Sequence, residues 1–166
     1  MIPDNITYIG EQAFCQCENL KSVTLSSELE DMGSMAFYGC NSLISIVIPD
    51  KISFLRDAFC GCENLQSIHL PLNLKRLGAG AFGYCLNLQE ITLPEKIEEI
   101  ESGAFEKCKG LTNITSLASN VPKAYGDSFL GSNINNGTLY VKSNLINDYK
   151  TTSPWKDFAN IKPINQ

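Results

Sequence analysis

Seven cysteines carry most of the chemical potential of this sequence, and their spacing decides what that chemistry can be. Cys15-Gln-Cys17 and Cys60-Gly-Cys62 are C-x-C pairs, and two such pairs invite a four-thiolate zinc site. The pairs fall in the first and third of a series of repeats, two strand spacings or ~10 Å apart. Zinc–sulfur bonds of ~2.3 Å hold all four sulfurs within about 4 Å of each other. No metal site is expected. His69 is the only histidine. It lies in Ser67-Ile-His69-Leu70, pointing outward near Ser67 and Ser45, without the strained nucleophile turn or oxyanion hole of a hydrolase. Gly78-Ala-Gly80 lacks both the flanking lysine and the long following helix of a phosphate loop. Asn5, Asn113 and Asn136 begin N-x-[ST] triplets, which matter only in a eukaryotic secretory pathway. Neither an active site nor a cofactor is expected.

The other five-membered pattern among the cysteines leads to the fold. Cys17, Cys40, Cys62, Cys85 and Cys108 each stand three residues after a phenylalanine: Phe14, Phe37, Phe59, Phe82 and Phe105. The phenylalanines are 23, 22, 23 and 23 residues apart. Each is the phenylalanine of an A-F-x-x-C-x-x-L-x-x-[VI]-x-[LI] pattern, except that the fifth copy keeps only Ile114 at its end. An apolar couple precedes each Ala-Phe, as in Leu29/Met32 and Leu74/Leu77. No single repeat has enough apolar side chains for a core, so like residues must stack in ladders between successive coils. Five thiols in one such ladder read as small buried hydrophobes. Free thiols suit a reducing compartment or an anaerobic exterior. The 22-residue interval has a local cause: Leu55 runs into Arg56-Asp57-Ala58, one residue shorter than Leu77-Gly-Ala-Gly80-Ala81.

The end of each repeat alternates as a short strand with one buried face. Pro49, Pro71 and Pro94 follow it and stop the ladder. The Ala-Phe segment is too short and glycine-rich for a long helix and reads as a helical or 3₁₀ turn. The expected architecture is a right-handed solenoid of short parallel strands, one strand per coil. It has about five full repeats and a degenerate sixth over residues 1–134, then a capping region over 135–166. In that cap, Gly137-Thr-Leu-Tyr-Val141 reads as a last strand and Ser143–Tyr149 as a short helix with Ser143 or Asn144 as N-cap. Trp155 and Phe158 then cover the end of the core.

With I-G-x-x-A-F-x-x-C-x-x-L-x-x-I-x-[IL]-P recurring across residues 2–117, the chain resembles the BspA-type leucine-rich repeats of bacterial and some protist surface proteins. The L-Y-V, short helix and W-x-x-F of the end region match as well. The resemblance implies a secreted or surface-attached protein without an active site in its repeats, and some members are adhesins for host proteins. An extracellular or cell-surface location follows from the resemblance alone. No signal peptide opens the sequence. Ile2-Pro3 matches Ile48-Pro49, so the chain begins inside a repeat; a longer native protein, or self-association through the uncapped first coil, is expected.

A net charge of −5 and a pI near 4.9 argue against nucleic acid as a partner, because no basic face exists to displace counterions. No apolar run reaches the ~20 residues of a membrane span. The partner is then a protein or other macromolecule, and the surface most suited to it is the outward side of the strands. Ser22, Ser45, Ser67, Glu90 and Asn113 form one column there; Thr24, Val47, His69, Thr92 and Thr115 form the other. The alternative is an array segment that only spaces other domains and has no ligand of its own.

Overall fold

The computed structural model describes residues 1–164. Over these the chain winds as a parallel-strand β-solenoid of about seven turns. One wall carries the longer strands: Ser45–Val47, Ser67–His69, Glu90–Leu93, Asn113–Ser116, Thr138–Val141 and Asn160–Pro163. Register is strict, with Ile46 beside Ile68 and Ile91 beside Ile114 beside Leu139. Three coils end their strand at a proline whose carbonyl opens the next turn, as Ile52, Leu74 and Ile97 donate their amides to Pro49, Pro71 and Pro94 at 3.1–3.2 Å.

A second wall corrects the expectation of one strand per coil. Tyr8–Ile9, Asp31–Met32, Phe54–Leu55, Arg76–Leu77, Glu99–Ile100 and Lys123–Ala124 are two-residue strands, also parallel. Two residues show no alternation to read in sequence. Their inward members, such as Met32, Leu55 and Leu77, are the second halves of the apolar couples.

The Ala-Phe segments form the third side, as consecutive turns instead of helix. Their amides alternate in direction. Ala13 and Cys15 donate within the coil to Gly10 and Gln12, at 3.3 and 3.0 Å. Gln12, Phe14 and Gln16 donate to Ser34, Ala36 and Tyr38 of the next coil at 2.9, 2.8 and 2.6 Å. A helix would keep all of these bonds to itself, whereas this arrangement shares half of them with the neighbouring coil. It needs left-handed residues two places from the phenylalanine, and Gly39 (φ 66°) and Gly61 (φ 74°) take that conformation without a Cβ penalty.

Inside, the phenylalanines stack face to face from Phe14 to Phe129, with centroids 4.9 to 6.0 Å apart. Beside them runs the thiol ladder. Cys40, Cys62, Cys85 and Cys108 are buried, and each Sγ–H donates to the carbonyl of the previous coil's phenylalanine, at 3.0 to 3.3 Å. Ser132 holds the same place in the sixth coil, where its hydroxyl donates to the Phe105 carbonyl. Cysteine is thus more than a small hydrophobe here: it supplies a donor to a buried backbone acceptor. Cys17 departs from the expected ladder and is exposed, because it lies in the first coil with no earlier phenylalanine carbonyl beside it.

The short third coil dislocates both walls. The two-residue strands break between Asp31–Met32 and Phe54–Leu55, and the longer strands break between Ser67–His69 and Glu90–Leu93. The breaks are staggered, so one wall stays continuous wherever the other is interrupted. The turn side bridges both, with Phe37 donating to Ala58 at 2.8 Å and Phe59 to Ala81 at 3.2 Å.

The C-terminal segment continues the longer-strand wall through Thr138–Val141 and Asn160–Pro163, so the expected last strand is followed by another. Between them a 3₁₀ turn over Ser143–Leu145 leads into a helix, Ile146–Thr151, with no side-chain cap at either start. Trp155 is fully buried edge-on to Phe129, with centroids 5.3 Å apart, and its Nε1–H reaches the Pro122 carbonyl at 2.9 Å. Tyr149 OH shares a 2.8 Å hydrogen bond with Ser116 Oγ. The aromatic group at this end is closed core, with both of its polar tips satisfied.

Candidate functional site

The outward residues of the longer strands line up as the period of two requires. Ser45 pairs in register with Ser67, and Val47 with His69. Glu90 pairs with Asn113, and Thr92 with Thr115. Ser22 and Thr24 are exposed alongside, although their segment forms no strand. Asn113 and Thr115 are only half-buried. The columns run further than expected: Asn113 and Thr115 are followed by Thr138 and Tyr140, then by Asn160 and Lys162. The alternation of Thr138-Leu-Tyr-Val141 was the signal for the first of these pairs; Asn160 and Lys162 had no such signal, because Pro163 closes their strand.

The structure divides the face in two at the wall break after His69. Over the first three coils it hollows into a groove of about 900 Å³. Ser22, Thr24, Ser45, Val47, Ser67 and His69 line it, together with Val23, Ile46 and Ile68 beneath. Val47 is 66% exposed, the largest apolar exposure on this wall. Ile68 is half-buried where its neighbours in the ladder, Ile46, Ile91 and Ile114, are at most 4% exposed. Its position beside the break explains this: no strand of the fourth coil pairs over it.

Two charges stand at the groove's rim, and both are engaged. Lys51 Nζ lies 2.6 Å from Glu28 Oε2, and that hydrogen bond raises the lysine pKa. Asp50 accepts the Leu72 amide at 2.8 Å. The second half of the face is more polar, with Glu90, Thr92, Asn113, Thr115, Tyr140 and Lys162.

The other chemistry considered from the sequence lies elsewhere. Within the Cys60/Cys62 pair, Cys62 is buried and Cys60 half-buried, so the two diverge. Burial pushes the Cys62 and Cys108 thiols up to about 12 and Cys40 to about 11, and raises Cys60 and Cys85 as well. Such groups are poor thiolates. Among the described residues no three His, Cys, Asp or Glu side chains converge on one point. No helix among the described residues is long and apolar enough to cross a membrane.

Known proteins place this geometry. The structure is similar to that of a leucine-rich repeat protein of T. pallidum, at 25% identity and a TM-score of 0.66, over 95% of this chain and 64% of that one. A leucine-rich repeat protein of Bacteroides ovatus is similar at 20% identity and a TM-score of 0.59, over 96% and 64%. The pneumococcal vaccine antigen PcpA shares the fold at 16% identity and a TM-score of 0.60, over 88% and 42%. The chain therefore spans less than two thirds of the length of these structures. No curated protein matches it. The model of the BspA type leucine rich repeat region, in six copies, matches residues 1–57 and 53–151. With that match over most of its length and the stacked Ala-Phe turns that the repeat encodes, the chain belongs to the BspA type leucine-rich repeat family.

Proposed function

We propose that this chain is a non-catalytic interaction module of a secreted or cell-surface protein, adhesin-like, which binds a macromolecular partner through the exposed face of its longer strands. The observation that carries the reading is the register of that face. Two columns of small, mostly uncharged side chains run in parallel over successive coils, with Val47 66% exposed among them. A long surface of this kind collects many modest contacts. Family membership supports both the binding role and the extracellular setting. Binding to immobilised extracellular host proteins tests it, comparing the chain with Val47→Glu/His69→Glu. Both positions are exposed, so folding should persist and affinity for a true partner should drop about tenfold or more. Unchanged binding to every such protein, with folding intact, rules the face out.

A second reading, a rigid spacer with no ligand, draws on the ion pairs that tie one coil to the next. Lys51–Glu28 and Arg56–Asp31 at 2.6 Å, Lys123–Glu99 at 2.9 Å and Arg76–Glu101 at 3.3 Å all join adjacent turns.

A further inference from the structure

We propose that the groove over the first three coils takes an uncharged, aliphatic-bearing stretch of polypeptide; this rests on the reading of the face as the interaction surface and names what it holds. The argument is one of charge. A buried charge on the partner needs a counter-charge or a set of hydrogen bonds. The floor of the groove carries no carboxylate, lysine or arginine for that, and its charges stand only at the rim. There Lys51 engages Glu28 at 2.6 Å, and Asp50 accepts the Leu72 amide at 2.8 Å. What the floor exposes is hydroxyl, from Ser22, Thr24, Ser45 and Ser67, and the His69 imidazole, around the apolar Val47. Hydroxyls can donate to and accept from the peptide groups of an extended backbone, and Val47 with the half-buried Ile68 offers an apolar seat for its side chain.

The same lining argues against a glycan. Sugars are held by stacking on broad aromatic rings, and no Phe, Tyr or Trp borders the groove. The second half of the face, beyond the break after His69, carries Glu90 and Lys162 and suits the polar flank of the same ligand. Three strand spacings give room for about four extended residues, so the uncharged stretch need be no longer than that.

Selection of random 12-residue peptides on the full chain tests this, with affinities of the enriched peptides then measured in solution. The expected result is a shared uncharged run of about four residues containing Leu, Ile, Val or Phe. Val47→Lys should weaken these peptides tenfold or more, whereas Glu11→Lys, exposed on the turn side, should change them less than threefold. Enriched peptides with a required Lys, Arg, Asp or Glu in the run, or peptides indifferent to Val47→Lys, overturn the proposal. So does a screen of neutral oligosaccharides in which binding is abolished by Val47→Lys. Peptides that are charged and respond to Thr92→Lys sink this inference but leave the face as the binding surface. An absence of any peptide sensitive to Val47→Lys or Thr92→Lys sinks both.

Discussion

The carboxylate of Asp57 accepts the amide of Met35 at 3.2 Å, in the place where a full-length coil presents a backbone carbonyl. In complete coils the equivalent amides of Gln12 and Gly80 donate to Ser34 and Ser102 carbonyls at 2.9 and 3.0 Å. The third coil is one residue short, and the Asp57 side chain stands in for the missing acceptor. It also takes the Ser34 hydroxyl at 2.8 Å. Asp57→Ala should cost about 1–2 kcal/mol in urea unfolding, since the amide is only part-buried. Asp57→Asn keeps an acceptor and should lose less. Equal losses would mean the side chain is not acting as a carbonyl substitute.

Phe82 is fully buried, stacked between Phe59 at 6.0 Å and Phe105 at 5.7 Å. Phe82→Ala should cost about 3–5 kcal/mol, the range for a large core deletion. A near-neutral unfolding midpoint would contradict the stacking that joins the coils.

The buried thiols make stability pH-dependent on the alkaline side. Cys62 and Cys108 are raised from 9.0 to about 12 and Cys40 to about 11, chiefly by desolvation. The folded state therefore holds protons that the unfolded chain releases above pH 9. Their contribution is complete below pH 9 and is lost as pH climbs toward about 12. Tyr149, raised from 10.0 to about 12 by burial, acts in the same direction from pH 10 upward. Urea midpoints should fall steeply between pH 9 and 11, and less steeply in Cys62→Ser/Cys108→Ser, which retains the hydroxyl donor that Ser132 already exemplifies. Equal slopes would remove the thiols from the account.

At neutral pH an aromatic disulfide reagent should modify Cys17 quickly, and Cys40, Cys62, Cys85 and Cys108 only on denaturation. Modification of Cys85 in the folded chain would place its sulfur outside the ladder.

The break after His69 should show in amide exchange. Ser67–His69 pairs with only one neighbouring strand, whereas Asn113–Ser116 is paired on both sides. Its amides should exchange at least about tenfold faster; equal protection would mean that the break does not weaken this wall.

The repeat was legible because burial repeats with it. Every coil must place Ala, Phe, Cys and Leu against the coil before and after, so the period of Phe14, Phe37, Phe59, Phe82 and Phe105 announces the solenoid, its parallel strands and its outward columns. The two-residue strands were not legible, since their pairing is made by backbone groups that any side chain permits. Neither was the direction of the turn-side amides, which depends on left-handed φ values found at Gln12, Gln16 and Tyr84 as well as at Gly39. Cys17 shares the motif of its four buried counterparts and is exposed, because burial belongs to the neighbour and not to the residue. The missing residue at Asp57 was visible in the sequence. Only the packed coils decided that a carboxylate would replace it, that both walls would break beside it, and that a groove would open over Val47. Each of these depends on where one turn of chain lies against the next, and that relationship exists only in the folded molecule.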